Sequence, residues 1–308
     1  MSGQGNRVKI LSFDMGERMM REYVIIADST NDMPPEFAVE NNIDIVKIIY
    51  QLDDEVYGID RQLSMKEFYD GMRAGKMTKT AAPNIHQIKE HFERWAKEGK
   101  DILFMCLSSG ISSTVNNAFI ARDEVAEEYP DVDICVMDSI CCAGGQGMLL
   151  YHAVNNKKNG MSARENMESL ERIKHHIIQK FTVDDLSYLQ RGGRISKAAA
   201  AIGTVINLKP LLHVDAEGKL GAEQKIRGRK KALNQLIENM GPAMGSYIDK
   251  QEMILVCHGD CDDDVDYCIK LIEEKYKPKQ IIKSYISPTI GAHTGPGGLA
   301  IFFMGDVR

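Results

Sequence analysis

The 308-residue chain is 44% hydrophobic and 27% charged, a composition typical of a globular protein with one large core or two smaller ones. Its net charge of −6 argues against nucleic acid as a partner, because phosphate backbones are normally bound by clustered Lys and Arg. No apolar run approaches the roughly 20 residues that cross a bilayer, and the first 20 residues lack the basic-then-apolar order of a secretory signal. We therefore expect a cytoplasmic protein without stable membrane insertion.

The first half of the chain repeats a pattern of strand, polar turn and helix. Residues 1–21 show no clear period and are predicted to be an N-terminal extension. Apolar runs that end on small polar residues and open into helices then occur at 23–30, 102–107 and 134–139. The pattern is typical of a parallel, doubly wound α/β sheet of the Rossmann-like kind, which binds ligands at the carboxyl ends of its strands.

Helix-capping signals lie between these units. Ser64 and Glu67 have the spacing of a capping box at the start of "SMKEFYDGMRAG", and Asn84 is placed to cap the helix that runs through Trp95. The stretch "KMTKTAAPN" (76–84) is interpreted as an exposed connecting loop.

After "NNKKNG" the pattern changes, which predicts a domain boundary at residue 160 and hence domains at 22–160 and 161–308. The second half is predicted to be a mixed-sheet α/β domain. Its expected elements are a helix at 162–179, a hairpin with Gly218 in the turn, a helix at 229–248, and two closing strands in "QIIKSYI" and "LAIFFMG".

The turn "SSGISST" (108–114) stands where a helix begins, and helix starts attract anions. Ser109 and Gly110 are candidate donors to a carboxylate, while Ser112 or Ser113 is the expected cap. Helix capping alone is the competing interpretation. In the same way "QRGGRISK" (190–197), with Arg191, Arg194 and Lys197, is either an anion nest or a tight turn.

Other chemistry finds little support in the sequence. The nucleophile elbow, the P-loop and the dinucleotide-binding glycine pattern are all absent from the sequence. The acidic run "DCDDDVD" is interpreted as a solvated helix start and not a metal site. The seven cysteines lack zinc-site spacing and are expected to be buried, reduced thiols, so neither a metal nor a cofactor is predicted.

Taken together in chain order, six segments resemble the DegV family of bacterial fatty-acid-binding proteins. The segments are "ADSTNDMPPEF" (27–37), "KTAAPN" (79–84), "SSGISST" (108–114), "LQRGGRISKAAAAIGTVINLKPLL" (189–212), "KIRGRKKAL" (225–233) and "IGAHTGPGG" (290–298). The resemblance covers residues 22–308. It implies a two-domain DegV-like fold that holds a long-chain fatty acid between its domains.

The resemblance also implies which residues hold the fatty-acid carboxylate. Carried over by position, they are Thr80 and Ser109, with Ser108 as the second choice for the serine. Gly110 and His293 are expected at the same site. The chain departs from the family pattern at three positions, Ala81, Ala82 and Ser113. We expect carboxylate binding to persist despite these departures. The sequence does not determine which acyl-chain length or degree of unsaturation the protein prefers.

Some family members carry the lipid for a bacterial fatty acid kinase, presenting the carboxylate to an ATP-using subunit that makes acyl phosphate. The resemblance then implies that Arg227, His293 and Arg194 stabilise the phosphoryl group or contact that subunit. The chain alone is expected not to be an enzyme. The alternatives are a phosphotransfer or hydrolytic enzyme that acts alone on a small anion, and a scaffold that carries no lipid.

Overall fold

A computed structural model describes residues 21–196, 207–306 and 308. The predicted N-terminal extension apart from Arg21, and Lys197 of the proposed nest, therefore lie outside the described residues. The strands span Tyr23–Asp28 (β1), Asp44–Val46 (β2), Ile49–Leu52 (β3), Glu55–Tyr57 (β4), Thr78–Ala81 (β5), Asp101–Cys106 (β6), Ile134–Asp138 (β7), Ile177–Thr182 (β8), Leu208–Val214 (β9), Leu220–Arg227 (β10), Ile254–His258 (β11), Ile281–Tyr285 (β12) and Leu299–Met304 (β13). The helices span Pro35–Glu40 (α1), Met65–Arg73 (α2), Ile85–Lys97 (α3), Thr114–Glu128 (α4), Gly144–Lys158 (α5), Ala163–Ile173 (α6), Ser187–Arg191 (α7), Arg229–Glu238 (α8), Met240–Met244 (α9), Asp262–Tyr276 (α10) and Pro288–Thr294 (α11).

The first sheet is parallel throughout, with the order β2-β1-β6-β7. Helices α3 and α4 cover one face, where Phe92, Val115 and Phe104 share a buried cluster. Helices α5 and α6 contact the strands from the other side. The three predicted strand-turn-helix units are β1–α1, β6–α4 and β7–α5, so the predicted parallel α/β sheet is confirmed.

The second sheet is mixed, with the order β10-β9-β8-β13-β11-β12, and only β11 and β12 pair in parallel. Helices α8 and α10 cover one face of it. The other face meets α5, and the buried cluster there joins Leu103 of the parallel sheet, Leu149 of α5 and Phe302 of the mixed sheet. The mixed-sheet α/β architecture predicted for the second half is therefore confirmed, and the two sheets share one core.

The predicted domain boundary at residue 160 falls between α5 and α6. Helix α5 contacts strands of both sheets, and α6, on the far side of the boundary, contacts β6 and β7 of the parallel sheet. The boundary stays a prediction.

A three-stranded antiparallel sheet, β4-β3-β5, was not expected from the sequence. The interpretation of residues 76–84 as a connecting loop is wrong, because Thr78–Ala81 pairs with β3. Strands of three or four residues are too short to show a periodic pattern. The sheet packs Tyr50 and Tyr57 against Phe68 and Tyr69 of α2.

Two helices end earlier than the sequence indicates. The predicted helix at 162–179 stops at Ile173, and a short 3₁₀ turn leads into β8. The predicted helix at 229–248 divides into α8 and α9 at Asn239. The capping predictions are confirmed: Ser64 with Glu67, and Asn84 with Gln87, form reciprocal capping boxes at α2 and α3.

Among residues 21–196, 207–306 and 308, no helix combines the length and the apolar character needed to cross a membrane.

Candidate functional site

An apolar cavity lies at the carboxyl edge of the parallel sheet, against the mixed sheet. Its volume is about 830 Å³, counting the part open to solvent. Leu107 lies directly after β6, while Cys142 and Ala143 lie between β7 and α5. Phe181 of β8 and Phe302 of β13 bring the mixed sheet into the wall. The cavity thus occupies the place where open parallel sheets bind ligands.

A buried carboxylate organises the strand ends beside this cavity. Asp28 closes β1, and its Oδ2 accepts a hydrogen bond of 2.6 Å from the Leu107 backbone N–H. Its Oδ1 accepts from the Thr30 backbone N–H at 3.0 Å. Burial raises the pKa of Asp28, although these hydrogen bonds oppose the increase. Asp28 at the end of β1 therefore fixes the position of Leu107 in the cavity wall.

Thr80, Arg194 and His293 come from separate segments and lie together in the wall, and Ser112 also lines the cavity. Thr80 Oγ1 lies 2.9 Å from His293 Nε2, which joins β5 to α11. Arg194 Nε donates to the Ile111 carbonyl at 3.2 Å, and Ser112 is the next residue. The wall at this point thus combines hydroxyl donors with a cation.

His293 is the most strongly perturbed of these groups. Burial lowers its pKa to about 4, and the positive charge of Arg194 adds to the effect. Its Nδ1 is buried without a hydrogen-bond partner among the described residues. Gly192 lies against this ring, since a Cβ there would be 2.0 Å from Nδ1. The imidazole is therefore neutral near pH 7, and a glycine is needed beside it.

Arg194 supplies the positive charge at this part of the wall. It is partly buried, and its Nη1 donates to the Gly192 carbonyl. Burial lowers the pKa of Arg194, yet a guanidinium stays protonated in proteins. The carbonyls of Gly192 and Ile111 orient it without neutralising its charge.

Helix α4 begins next to Ser112. The Ser112 hydroxyl lies 2.8 Å from Thr114 Oγ1 and accepts from the Thr114 backbone N–H at 3.3 Å. Ser113 precedes the helix and makes no side-chain capping bond. The hydroxyl at the helix start is thus that of Ser112, which also lines the cavity. The N-terminus of a 15-residue helix such as α4 favours a nearby anion.

Ser108 is fully buried and does not line the cavity. Its Oγ donates to the Gly218 carbonyl at 2.9 Å and accepts from the Gly110 backbone N–H at 3.1 Å. Gly218 lies in the turn between β9 and β10 with φ of +75°, as the predicted hairpin requires. Ser108 therefore holds the hairpin turn against the parallel sheet.

Ser109 and Gly110 also lie outside the cavity wall. Ser109 is exposed, and its hydroxyl donates to Asp138 Oδ2 at 2.5 Å. Gly110 faces the hairpin turn, where a Cβ would lie 2.6 Å from the Gly218 carbonyl oxygen. The structure thus brings Thr80, Arg194 and His293 together from the predicted set, and separates the serine pair and Gly110 from them.

Arg227 ends β10, is exposed and does not line the cavity. In "QRGGRISK", Arg191 stacks on the Tyr188 ring at 4.6 Å, and Gly193 has φ of +69° as in a tight turn. Anion binding by this segment stays a prediction. The acidic run at 260–266 begins α10, as predicted, and no cluster of metal ligands occurs within the described ranges.

Sequence reasoning missed Ser112 and Gln179 as cavity residues. Ser112 was identified only as a cap, and its two-residue spacing from Thr114 gave no sign of the cavity. The predicted helix at 162–179 includes Gln179, which lies in β8 of the structure. The segment "IIQKFTV" carries the β-branched residues that are typical of a strand.

Comparison with known proteins agrees with this architecture. The family profile described as "Uncharacterised protein, DegV family" matches residues 22–306. A DegV domain-containing protein of Clostridium perfringens is 39% identical over 291 residues, which is 94% of this chain and 99% of that protein.

Two solved structures have the same fold. DegV of Bacillus subtilis, described as a fatty acid binding protein, is 29% identical with a TM-score of 0.80, covering 93% of this chain and 100% of its own. A stearic-acid-binding protein of Eubacterium ventriosum is 25% identical with a TM-score of 0.83, covering 92% and 98%. These descriptions are of lipid-binding proteins and not of enzymes, in agreement with the class that the sequence predicts.

Proposed function

The chain belongs to the DegV family, and we propose that it binds a long-chain fatty acid in the cavity and presents the carboxylate to a partner kinase subunit. The observation that carries the proposal is an apolar cavity, formed by both sheets, whose wall includes hydroxyl donors and a cation. This lining suits a hydrophobic ligand that has one polar end. The fatty-acid-binding descriptions of the Bacillus subtilis and Eubacterium ventriosum proteins support it.

We assign the carboxylate to Thr80, Ser112 and Arg194. A carboxylate only accepts hydrogen bonds, and these groups donate them. Neutral His293 contacts Thr80 Oγ1 and so positions its hydroxyl. We place the serine contact at Ser112 in preference to Ser109, because the Ser109 hydroxyl is directed to Asp138 outside the cavity.

The acyl chain supplies most of the binding free energy. Each buried methylene contributes about 0.8 kcal/mol, whereas a hydrogen bond to a charged group contributes about 1.5–3 kcal/mol. The polar groups therefore orient the acid within the cavity, and the apolar wall holds it.

Presentation to a kinase places the carboxylate within reach of a second protein. Phosphoryl transfer requires positive charge around the transferred group. Arg194 at the cavity and exposed Arg227 at the end of β10 are the cations that we assign to this step, with His293 beside the carboxylate.

The carboxylate assignment is tested by titrating lipid-free protein with palmitate. The double variant Thr80→Val, Ser112→Ala should bind about 10-fold more weakly or worse, because two donors to a charged group are removed. The matched control Ser109→Ala, Ser113→Ala changes two exposed hydroxyls of the same turn and should bind as the native protein does. Equal affinity in both double variants would contradict the assignment.

Adding the ATP-using subunit of a bacterial fatty acid kinase tests the presentation step. We expect palmitoyl phosphate to form with the native chain and much more slowly with Arg227→Ala, whose palmitate affinity should not change. Palmitate binding without any acyl phosphate would contradict the presentation step and leave the binding proposal standing.

A further inference from the structure

We propose that the cavity selects acyl chains that carry a hydroxyl or keto oxygen within the chain, and that the side-chain amide of Gln179 binds this oxygen. The inference rests on the proposed fatty-acid binding and specifies the class of acid.

Gln179 is a polar residue in an otherwise apolar part of the wall. It is 1% exposed and lines the cavity from β8. Phe181, two residues further on, lies on the same face of the strand and also lines the cavity. Cys142 and Ala143, on the opposite side of the amide, complete this part of the wall. None of the four carboxylate-side residues comes from these segments.

The orientation of the amide is fixed by its neighbours. The backbone N–H of Cys142 donates to Gln179 Oε1 at 3.0 Å, so the other end of the amide is the NH₂ group. That group donates to the Ile140 carbonyl at 3.5 Å, which is the limit of a hydrogen bond. That carbonyl also accepts from Arg308 Nη1 at 2.5 Å. One amide N–H of Gln179 therefore makes only this weak bond, and the second has no acceptor among the described residues.

The fold makes room for this amide. A Cβ at Gly145 would lie 2.5 Å from Gln179 Oε1, so the start of α5 accommodates the side chain only as glycine. Burying an amide N–H without an acceptor is unfavourable. An oxygen on the bound acyl chain is the acceptor that this arrangement lacks.

Position along the acyl chain should decide the selection. A chain hydroxyl opposite Gln179 gains a hydrogen bond, whereas a hydroxyl opposite an apolar residue such as Leu107 loses its hydration and gains nothing. Positional isomers of one hydroxy acid share the same cost of removing the hydroxyl from water. Comparing them isolates the contribution of Gln179.

The test measures dissociation constants of stearate and of a series of monohydroxystearates by displacement of a fluorescent fatty acid. We expect one internal isomer to bind the native protein about 3- to 10-fold more tightly than the other isomers, the range of a neutral hydrogen bond. In Gln179→Met this difference should disappear. Gln224→Met, an exposed glutamine of β10, is the matched control and should keep it.

Each other outcome overturns the inference. Equal binding of all isomers to the native protein would overturn it, and this result does not depend on whether the Gln179→Met variant folds. A preference for one isomer that survives in Gln179→Met would also overturn it. So would a preference for oleate over stearate with no preference among the hydroxy acids. Failure of stearate itself to bind would instead contradict the proposed fatty-acid binding.

Discussion

His293 illustrates at the scale of one residue how surroundings set charge. Burial and Arg194 lower its pKa to about 4, so in the lipid-free protein the ring should stay neutral from pH 5.5 to 8. An NMR titration of the imidazole signals, with His293→Gln to assign the peak, checks this. We expect no shift of the His293 signal across that range. A midpoint near the ordinary histidine value would contradict the environment described here.

Asp32 has the opposite perturbation. Burial, with the negative charge of Asp28, raises its pKa to about 7, and the Ser287 N–H that donates to Oδ1 at 3.1 Å offsets only part of this. The folded state then holds a proton that the unfolded state releases between about pH 4 and 7. Asp32 therefore lowers the free energy of unfolding as pH rises through that window, by up to about 1.4 kcal/mol per unit.

Asp32→Asn removes this ionisation and tolerates the positive φ of +50° at the position. The free energy of unfolding of the variant minus that of the native protein should increase from pH 5 to pH 8. The increase should level off above pH 7. Urea unfolding at the two pH values measures it. The same stability difference at both would show that Asp32 does not titrate in this range.

At the residue scale, the sequence indicated the hydroxyl-rich turn but not the direction in which each hydroxyl lies. The turn 108–114 holds Ser108 against the hairpin, Ser109 on Asp138 and Ser112 in the cavity wall. These directions depend on how the hairpin and β7 approach the turn, and both come from distant parts of the chain. Only local spacing is readable in the sequence.

At the scale of one element, Ser108 attaches the turn of the hairpin β9–β10 to the parallel sheet. Ser108→Ala would leave the Gly218 carbonyl and the Gly110 N–H without their shared partner in a buried place. We expect a loss of about 1–3 kcal/mol in unfolding free energy, measured with urea. Ser109→Ala, at an exposed site in the same turn, should cost less. The reverse order would contradict the role given to Ser108.

Elements with strong local signals were predictable and short paired strands were not. The capping boxes of α2 and α3 and the apolar runs of β1, β6 and β7 are written in neighbouring residues. Strands β3, β4 and β5 are three or four residues long, and their pairing joins residues 49–52 to 78–81. Such strands exist because of nonlocal pairing, which a pattern search along the chain does not detect.

At the scale of the whole molecule, both sheets contribute to one cavity and one core. A ligand held there contacts both halves, so it should stabilise them together. Saturating palmitate at about 100 times its dissociation constant should raise the unfolding free energy by about 2.7 kcal/mol. Octanoate, with eight fewer methylenes to bury, should give almost no change at the same concentration. Equal effects of the two acids in thermal unfolding would argue against an acyl site.

Mass spectrometry of the organic extract from freshly purified protein shows whether this chain carries a fatty acid. We expect a long-chain acid at close to one molecule per chain in the native protein, and a smaller amount retained after washing by the double variant Thr80→Val, Ser112→Ala. A folded protein that yields no acid, and takes up none when incubated with palmitate, oleate and stearate, would contradict this expectation.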